Sequence, residues 1–386
     1  MKHKTLNLLV YFILIFSIII GNDWINPKNK ITKKYSFKAY HTTYKIFTDS
    51  LYHIISNVSN ENYSKKYSMI ISLNHQGELE KKIDLDNINN QILSGIKLKN
   101  DGFLFVGYSQ PNSDDWNKIY VVKTDKDLNI VWEKNYSSTN YDNKGYSIVE
   151  LNEDEYCILG NTKASTNNAL ILKIDSNGNE KWFSYLPNLN CSFATHMIAN
   201  KKEEIILAGQ DLKQLFVSKI NKDGKILWNY NYLNDNNSHR LYEIKNTYDG
   251  GIILVGNTTK NFKKKKDILI IKLSGDGTEE WVTTLGNESS EVAYDIEETK
   301  NLNYIIGGFA LKDKKGELYH SFIIKTDSLG KEMKRIDLDY LSSNKLYDIN
   351  IEYNKKTNAI SYIGTGDIIN DNKPGILFIK FEENNY

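Results

Sequence analysis

Short apolar runs separated by polar turns recur along nearly the whole chain. Residues 241–286, LYEIKNTYDGGIILVGNTTKNFKKKKDILIIKLSGDGTEEWVTTLG, contain four such runs, each rich in Ile, Val, Leu, Thr or aromatic residues. Turn signals separate them, including Asp249-Gly250-Gly251 and Gly275-Asp276-Gly277. Runs of this kind between Gly- and Asp-containing turns are typical of β-strands. The stretch therefore predicts one four-stranded antiparallel sheet.

This four-strand unit occurs seven times. The end of its third strand recurs at nearly regular intervals, at 72–74, 123–125, 173–175, 219–221, 272–274, 325–327 and 380–382. A tight hairpin follows in most units and ends in a glycine, at Gly77, Gly178, Gly224, Gly277 and Gly330. Gly at this place fits a turn that needs a positive φ angle. A supersecondary unit repeated at this spacing is typical of a β-propeller.

Two further residue types recur at the same place in most repeats. In six units the second strand ends in a glycine, which permits close backbone approach: Gly107, Gly160, Gly209, Gly256, Gly307 and Gly364. In four units the fourth strand opens with a tryptophan, Trp132, Trp182, Trp228 or Trp281. The alignment puts Leu79 and Met333 at that place in the first and sixth units. A large apolar side chain there would fill the space between neighbouring sheets.

The seventh unit lacks a fourth strand, and the N-terminal side of the chain offers one. Ile31 precedes Tyr44 by the same interval by which Trp281 precedes Tyr294, so Ile31 takes the Trp position. Completing one sheet with strands from both ends of the chain removes the open sheet edges of the ring. The sequence therefore predicts an all-β fold over residues 31–386. It is a seven-bladed β-propeller of four-stranded antiparallel blades, whose last blade is closed by an N-terminal strand.

The N-terminal segment, 1–21, differs from the repeats. Lys2 and Lys4 precede an apolar run at 8–20 that only Ser17 interrupts. This length fits the hydrophobic region of a signal peptide and is short for a bilayer span of about 20 residues. The residues before Gly21 make a poor cleavage site, so an uncleaved membrane tether through residues 8–20 stays open. We expect an exported protein, periplasmic, secreted or at the cell surface, with residues 1–21 as signal peptide or N-terminal anchor and 22–30 as linker.

Net charge, cysteine content and motif content limit the classes of function that the sequence suggests. The net charge is +1, which gives no general attraction for nucleic acid. Export would permit a disulfide between the two cysteines, Cys157 and Cys191, although Cys157 within a strand also fits a buried apolar position. No GxSxG, P-loop, HExxH or CxxC motif is present.

The innermost strands share a small or polar residue between apolar or aromatic neighbours. Around the ring these residues are Lys45, Gly95, Ser147, His196, Glu243, Asp295 and Asp348. Strand alternation places each on the face opposite to its neighbours, so the set can converge on the channel mouth. Lys45, His196, Glu243, Asp295 and Asp348 are therefore candidate axial ligand residues, and such a set would suit a divalent cation. Alternatively, the acids bond backbone amides and tyrosines of the next blade and hold the ring together.

Two acidic segments are similar to calcium loops, Asp125-Lys-Asp127-Leu-Asn129 and Asp175-Ser-Asn177-Gly-Asn179. A calcium-binding EF-hand loop needs a Glu at its twelfth position, and counting from Asp175 that position is Leu186. We therefore predict hairpin turns there. The lysine run at 263–266 is predicted to be a solvated loop.

A strand ending in Lys-x-Asp or Lys-x-Asn, followed by a Gly turn and a Trp, resembles the tryptophan-docking repeat of quinoprotein-like β-propellers. KIDSNGNEKW (173–182) and KINKDGKILW (219–228) carry the pattern. That superfamily includes dehydrogenases dependent on pyrroloquinoline quinone (PQQ) and a non-enzymatic lipoprotein of outer-membrane assembly. The DGGxIxxGNT pattern also resembles repeats of uncharacterised secreted bacterial propellers. The resemblance covers residues 31–386 and implies the architecture rather than an activity.

PQQ dehydrogenases are typically eight-bladed, and many carry a vicinal cysteine pair. This chain has seven units, and Cys157 and Cys191 are far apart in sequence, so we do not expect PQQ as a cofactor. We expect an exported, non-enzymatic, monomeric propeller that binds a protein or a glycan at one face and has no resident cofactor. The alternative is an enzyme or cofactor-binding propeller with an axial site, such as a quinoprotein-like dehydrogenase or a polysaccharide lyase or hydrolase. Raised carboxyl pKa values in a deep axial pocket would favour the enzyme, and an exposed aromatic patch would favour binding.

Overall fold

The computed structural model describes residues 25–36, 40–59, 66–85, 89–110, 112, 115–137, 141–152, 155–163, 167–186, 193–210, 214–233, 237–259, 265–312, 318–339, 341–354, 357–370 and 373–383. Over these residues the regular structure is 28 β-strands, which form seven four-stranded antiparallel sheets. The predicted seven-bladed β-propeller is confirmed.

In blades one to six, four consecutive strands pair in chain order, from the inner strand at the axis to the outer strand at the rim. Blade one contains β2 (Tyr40–Thr48), β3 (Tyr52–Ser59), β4 (Lys66–Leu73) and β5 (Leu79–Leu85), and blade two contains β6 (Asn90–Lys97), β7 (Phe103–Ser109), β8 (Lys118–Thr124) and β9 (Ile130–Tyr136). Blade three contains β10 (Asn143–Asn152), β11 (Glu155–Lys163), β12 (Asn167–Asp175) and β13 (Glu180–Tyr185), and blade four contains β14 (Phe193–Ala199), β15 (Ile205–Gln210), β16 (Leu215–Ile220) and β17 (Ile226–Tyr232). Blade five contains β18 (Ser238–Asn246), β19 (Ile252–Thr259), β20 (Asp267–Leu273) and β21 (Glu279–Leu285), and blade six contains β22 (Glu291–Glu298), β23 (Tyr304–Leu311), β24 (Tyr319–Thr326) and β25 (Glu332–Asp337).

Blade seven uses both ends of the described chain. Its first three strands are β26 (Asn344–Tyr353), β27 (Ile360–Asn370) and β28 (Lys373–Glu383), and its outer strand is β1 (Ile25–Tyr35). Ile31 lies opposite Lys380, as Trp281 lies opposite Lys272, which confirms the predicted position of Ile31. Pairing already begins at Ile25, with an irregularity between Asn26 and Ile31, so part of the segment predicted as linker, 22–30, belongs to the sheet.

The ring has two faces, which we name by their loops. The connector face carries the loops between second and third strands and the links from one blade to the next. The hairpin face carries the turns between first and second strands and the hairpins between third and fourth strands. Because β1 starts opposite Glu383, at the end of a third strand, the chain enters blade seven at the hairpin face.

Apolar packing joins each blade to the next. Each of the seven hydrophobic clusters among the described residues draws its members from two neighbouring blades. Ile46 and Ile54 of blade one pack with Phe378 of blade seven, so the ring is closed by core packing as well as by strand pairing. Burying one such side chain contributes roughly 1.5–3 kcal/mol, which makes these interfaces the main source of stability.

The outer-strand tryptophans lie between the sheets. A Cβ atom at Gly178 would lie 3.0 Å from the ring of Trp132 in the preceding blade, and Gly277 meets Trp228 in the same way. Trp132 Nε1 also donates to the carbonyl of Ser176 at 3.0 Å. Gly178 has a φ angle of +72°, so a larger residue would be strained and would also push into the ring.

The alignment of Leu79 and Met333 with the tryptophans is wrong. Lys81 lies opposite Ser72, and Lys334 lies opposite Lys325, at the places that hold Trp in the other blades. Met333 is 54% exposed. The repeat spacing favoured the nearest apolar residue. The strand register, which is irregular at the end of the third strand, instead determines which residues of the fourth strand lie opposite the third.

Blade two compensates for the missing tryptophan of blade one. Its hairpin has Leu128 where the neighbouring hairpins have Gly, and Leu128 is buried in the core between blades one and two. Lys81 of blade one donates to the carbonyl of Asp127 in the same hairpin. A side chain from the hairpin thus fills the space that a tryptophan from the outer strand fills elsewhere.

Each inner strand contains a one-residue bulge opposite a small residue of the second strand. A Cβ atom at Gly107 or Gly256 would lie 1.9 Å from a backbone oxygen of the inner strand. In blades six and seven the residue at this place is Gly308 and Gly366, not the predicted Gly307 and Gly364.

The acidic turns are hairpins, as predicted. Asp175 Oδ1 accepts hydrogen bonds from the amides of Asn177 (2.9 Å) and Asn179 (2.8 Å), and Asp125 caps its own turn in the same way. Of the lysine run at 263–266, the first two residues lie outside the described part.

Cys157 is buried as a free thiol in the core between blades three and four, and burial raises its pKa to about 12. The free thiol contradicts the predicted disulfide with Cys191 in this structure; Cys191 itself lies outside the described residues. In the described part of the chain no helix is long and apolar enough to cross a membrane. The apolar run at 8–20 lies outside that part.

Candidate functional site: the axial channel and its aromatic mouth

The inner strands enclose a channel along the propeller axis. Its cavity measures about 690 Å³ and is lined mainly by the inner strands of blades one to five, with Tyr294, Tyr347 and Asp348 from blades six and seven. Cavities of this volume are typical of sites for small ligands or for one end of a larger ligand.

The structure brings the five predicted axial residues together around this channel. Each comes directly after the bulge of its inner strand: Lys45, His196, Glu243, Asp295 and Asp348. Ser147 of blade three has the same place. In blade two the residue after the bulge is Ser94, not the predicted Gly95, because two small residues are adjacent there and only the strand register distinguishes them.

Two of the acids join their blades to the next blade. Asp295 Oδ2 accepts from the amide of Ile349 in blade seven at 3.0 Å, and Asp295 Oδ1 accepts from its neighbour Ile296 at 2.9 Å. Asp348 Oδ2 accepts from the amide of Ile46 in blade one at 2.8 Å. Both acids are buried, with 1% and 3% of their surface exposed. These contacts match the alternative in which the acids hold the ring together.

Blades three and four make similar links with neutral groups. Ser147 Oγ donates to the carbonyl of Met197 in blade four at 3.2 Å. The His196 ring lies 2.7 Å from Thr195 Oγ1 and also hydrogen-bonds the backbone of Tyr242 in blade five. Burial lowers the pKa of His196, and the nearby charge of Glu243 offsets only part of that effect. His196 therefore acts as a neutral link between blades.

Glu243 and Lys45 face the channel instead. Glu243 Oε1 accepts from its own neighbour Ile244 at 2.9 Å, and Oε2 lies 3.6 Å from the ammonium of Lys45. Because they line the channel, their side chains stay 19% and 27% exposed although protein surrounds them. Burial opposes both charges, yet the mutual attraction lowers the pKa of Glu243 and, with Asp348, raises that of Lys45.

Sequence reasoning missed two members of this cluster, Lys245 and Glu297. Lys245 Nζ lies 3.2 Å from Asp295 Oδ1 and also contacts Glu297 Oε1. Each follows an axial residue by two positions, so strand alternation could have placed it on the same face. Burial would lower the pKa of Lys245, but the charges of Asp295 and Glu297 raise it well above its usual value. Burial, followed by the charge of Asp295, raises the pKa of Asp348 well above its usual range.

The geometry does not favour a metal ion here. Among the described residues, no three His, Cys, Asp or Glu side chains are grouped as metal ligands. The ammonium groups of Lys45 and Lys245 lie beside the carboxylates that a cation would need. The divalent cation therefore stays a prediction without support from the contacts.

Aromatic side chains surround the channel at the connector face. The extra residue of the inner-strand bulge is a tyrosine in blades five, six and seven. The rings of Tyr242 and Tyr294 lie 4.2 Å apart, Tyr294 and Tyr347 4.9 Å, Tyr294 and Phe309 5.5 Å, and Phe309 and Tyr319 5.3 Å. All five are partly exposed. We call these five residues the aromatic mouth.

The repeat contains a signal for this mouth. A tyrosine immediately precedes the axial residue in five of the seven units. Strand alternation alone places these tyrosines on the face opposite to the axial residues. The bulge changes that, because an unpaired extra residue turns its side chain out of the regular alternation of the strand.

No family model and no curated protein matches the sequence. The resemblance to tryptophan-docking propellers therefore remains a prediction at the family level. Solved structures do match in fold. The β-propeller domain of the Trilobed protease from Pyrococcus furiosus, described as having an open velcro topology, is 11% identical with a TM-score of 0.50, over 89% of this chain and 94% of that one.

Prolyl oligopeptidase B from Galerina marginata is similar with 10% identity and a TM-score of 0.50, over 88% of this chain and 51% of that one. The chain thus spans about half the length of that peptidase. At such identities the similarity shows only the propeller fold. The role of this propeller has to be inferred from its own side chains.

Proposed function

We propose that this chain is an exported, non-enzymatic binding module that holds a glycan or a protein segment at the aromatic mouth. The mouth itself carries the proposal. Three of its partly exposed rings, Tyr242, Tyr294 and Tyr347, line the axial channel, and Phe309 and Tyr319 continue the row of ring contacts beside them. Such rings present flat apolar faces with polar edges, to which sugar rings or apolar side chains can pack. Contiguous exposed apolar groups on a folded surface typically mark an interaction site.

The raised pKa of Asp348, which lines the channel, favours the enzymatic alternative, whereas the contacts of the axial acids favour binding. A glycosidase needs two carboxyl groups that reach the substrate. Asp295 and Asp348 are buried and occupied by backbone amides. Glu243 and Glu297 are more exposed, but each is paired with a lysine. The enzymatic alternative would require these pairs to open.

The position of β1 is compatible with a tether. The strand enters blade seven at the hairpin face, where Ile25 lies opposite Glu383. A membrane anchor in residues 8–20 would therefore hold the hairpin face toward the membrane and leave the aromatic mouth pointing away from it. That orientation would present the mouth to an external ligand.

The proposal is tested by ligand binding with paired variants on the two faces. The purified protein would be titrated with neutral and acidic oligosaccharides and with peptides, and affinity and thermal midpoint recorded. Ligand binding to the folded state raises the midpoint by mass action. Tyr294→Ala should weaken binding at least tenfold, because it removes the ring that contacts Tyr242, Tyr347 and Phe309.

The matched control is Tyr248→Ala, which removes a 63% exposed tyrosine from a turn of the hairpin face. This variant should bind as the wild type does. Equal losses in both variants, or no binding to any probe, would overturn the proposal. Turnover of an oligosaccharide that disappears in Glu243→Gln would favour the enzymatic alternative instead.

A further inference from the structure

Three cations lie at the same strand position around the connector face. Lys144, Arg240 and Lys345 each precede the bulged tyrosine of their blade by two positions, in blades three, five and seven. Arg240 lies over the ring of Tyr242 at 5.3 Å. The propeller repeat therefore places these three cations at equivalent positions.

Two of these cations flank the aromatic mouth. Arg240 is exposed beside Tyr242, at one end of the row of rings. At the other end, Lys345 Nζ lies 4.0 Å from the ring centre of Tyr319 and 5.1 Å from that of Phe309. The row therefore runs from a guanidinium group to an ammonium group, across rings from three neighbouring blades.

All three cations lie over aromatic rings, Lys144 over Tyr108, Arg240 over Tyr242 and Lys345 over Tyr319, and each lysine also has a carboxylate nearby. Burial lowers the pKa of Lys345, and the charge of Asp367 offsets only part of that effect. Burial also lowers the pKa of Lys144; Asp142 opposes the shift, but its Oδ1 already accepts from both the backbone and the side chain of Asn117, each at 2.9 Å.

Four regularly placed lysines of the hairpin face lie within 3.0 Å of carboxylates: Lys173 with Glu155, Lys219 with Glu204, Lys272 with Asp249 and Lys380 with Glu352. Ion pairs of this kind also occur at the connector face, where Arg335 lies 2.8 Å from Glu291. At the aromatic mouth, however, Arg240 and Lys345 lie over rings. The mouth is therefore the part of the connector face that would attract an anion.

We propose that the aromatic mouth takes an acidic oligosaccharide, with sugar rings on Tyr242 and Tyr294 and acidic groups at Arg240 and Lys345. The inference deepens the proposed function and rests on it. An arginine fork matches a carboxylate or sulfate group through two parallel hydrogen bonds. Successive rings from neighbouring blades suit a chain of sugars, and flanking cations select the charged members of that class.

The test compares three oligosaccharides of similar length by calorimetry. The probes are an oligogalacturonate, a heparin-derived sulfated oligosaccharide and a neutral chitooligosaccharide, each at low and at moderate salt. At least one acidic probe should bind at least tenfold tighter than the neutral one, and added salt should weaken that binding because exposed charges are screened. Tighter binding of the uronate or of the sulfated probe identifies the acidic group that the mouth prefers.

The variants separate this inference from the proposed function. Arg240→Ala combined with Lys345→Ala should reduce affinity for the acidic probe at least tenfold and leave the neutral probe unchanged. Lys300→Ala is the matched control, since Lys300 Nζ lies 4.2 Å from the ring centre of Tyr353 at the hairpin face. It should change neither affinity, and thermal unfolding checks that all variants fold.

Equal binding of acidic and neutral probes, with no effect of the double variant, would overturn this inference. The proposed function would survive that result if Tyr294→Ala still weakened both. If neither an oligosaccharide nor a peptide bound, both would fail, and if only a peptide bound, this inference alone would fail. An acidic peptide that bound more tightly than every oligosaccharide, with the same dependence on Arg240 and Lys345, would also overturn the inference.

Discussion

Two sides of the axial ring use the same strand position differently. On one side, Asp295 and Asp348 reach an amide of the next blade and are buried there. On the other side, Glu243 bonds the amide of its own neighbour and meets Lys45 in the open channel. One additional methylene group lets a glutamate reach into the channel, where an aspartate stays at the strand.

The comparison teaches that a repeated position has no fixed role in this propeller. An inner strand is the edge of its sheet, so some of its amides have no partner within the blade. Where the preceding blade supplies a short carboxylate, the position joins the blades. Where it supplies a longer or cationic side chain, that side chain faces the channel. Substitutions on the two sides should therefore differ in how much they reduce the free energy of unfolding and in how that loss depends on pH.

The largest effect is expected for Asp295→Ala. The change leaves the amides of Ile349 and Ile296 without their acceptor and removes one of the two carboxylates beside Lys245. Removing one partner from a buried charged network costs about 3–5 kcal/mol. We expect a loss of about 3 kcal/mol in the free energy of unfolding, measured with denaturant.

Ser147→Ala is the matched control for that variant. It deletes a neutral hydrogen bond to the next blade at the same strand position. Its expected cost is about 1 kcal/mol. If Asp295→Ala cost no more than Ser147→Ala, the inference that the buried carboxylate joins the blades would be wrong.

An intermediate effect, with a defined pH dependence, is expected for Asp348→Asn. Burial and the charge of Asp295 raise the pKa of the Asp348 carboxyl well above its usual value in the folded protein. The stability this carboxyl contributes is fully present below its unfolded pKa of about 3.9 and is lost as pH rises through the folded value. The stability of wild type relative to Asp348→Asn should therefore fall between pH 4 and pH 8, measured by denaturant unfolding. A difference that stayed constant or rose would contradict this assignment.

Glu155→Gln provides a control for which the pH dependence of stability should have the opposite sign. Hydrogen bonds from Lys173 and Lys181 lower the pKa of Glu155 to about 2. Its contribution is present above the unfolded pKa of about 4.3 and is lost as pH falls toward 2. The stability of wild type relative to Glu155→Gln should accordingly rise with pH over that acidic range.

The smallest effect is expected for Glu243→Gln. The pair with Lys45 is 3.6 Å long and open to the channel, and exposed ion pairs contribute about 0–1 kcal/mol. We expect a loss below about 1 kcal/mol in the free energy of unfolding, with little change in the thermal midpoint. A loss as large as that of Asp295→Ala would show that Glu243 also holds the ring together.

Much of the fold follows from local sequence. The turns and apolar runs predict the seven blades, and the phase of Ile31 predicts how the ring closes. The predicted axial residues do meet at the channel. The errors concern single residues: Gly95 for Ser94, Gly307 for Gly308, and Leu79 for Lys81. Each arises because more than one nearby residue fits the repeat spacing, and only the strand register shows which residue holds the position.

The sequence by itself determined the number of blades, their four strands and the closure between distant ends, because these depend on short-range periodicity and turn chemistry. Only the tertiary structure decided which axial acid reaches an amide and which faces the channel, since that depends on distances between blades. It also decided that bulged tyrosines of blades five to seven meet Phe309 and Tyr319 in one mouth. Residues that lie a full repeat apart in sequence become neighbours there because the closed ring stacks equivalent inner strands side by side.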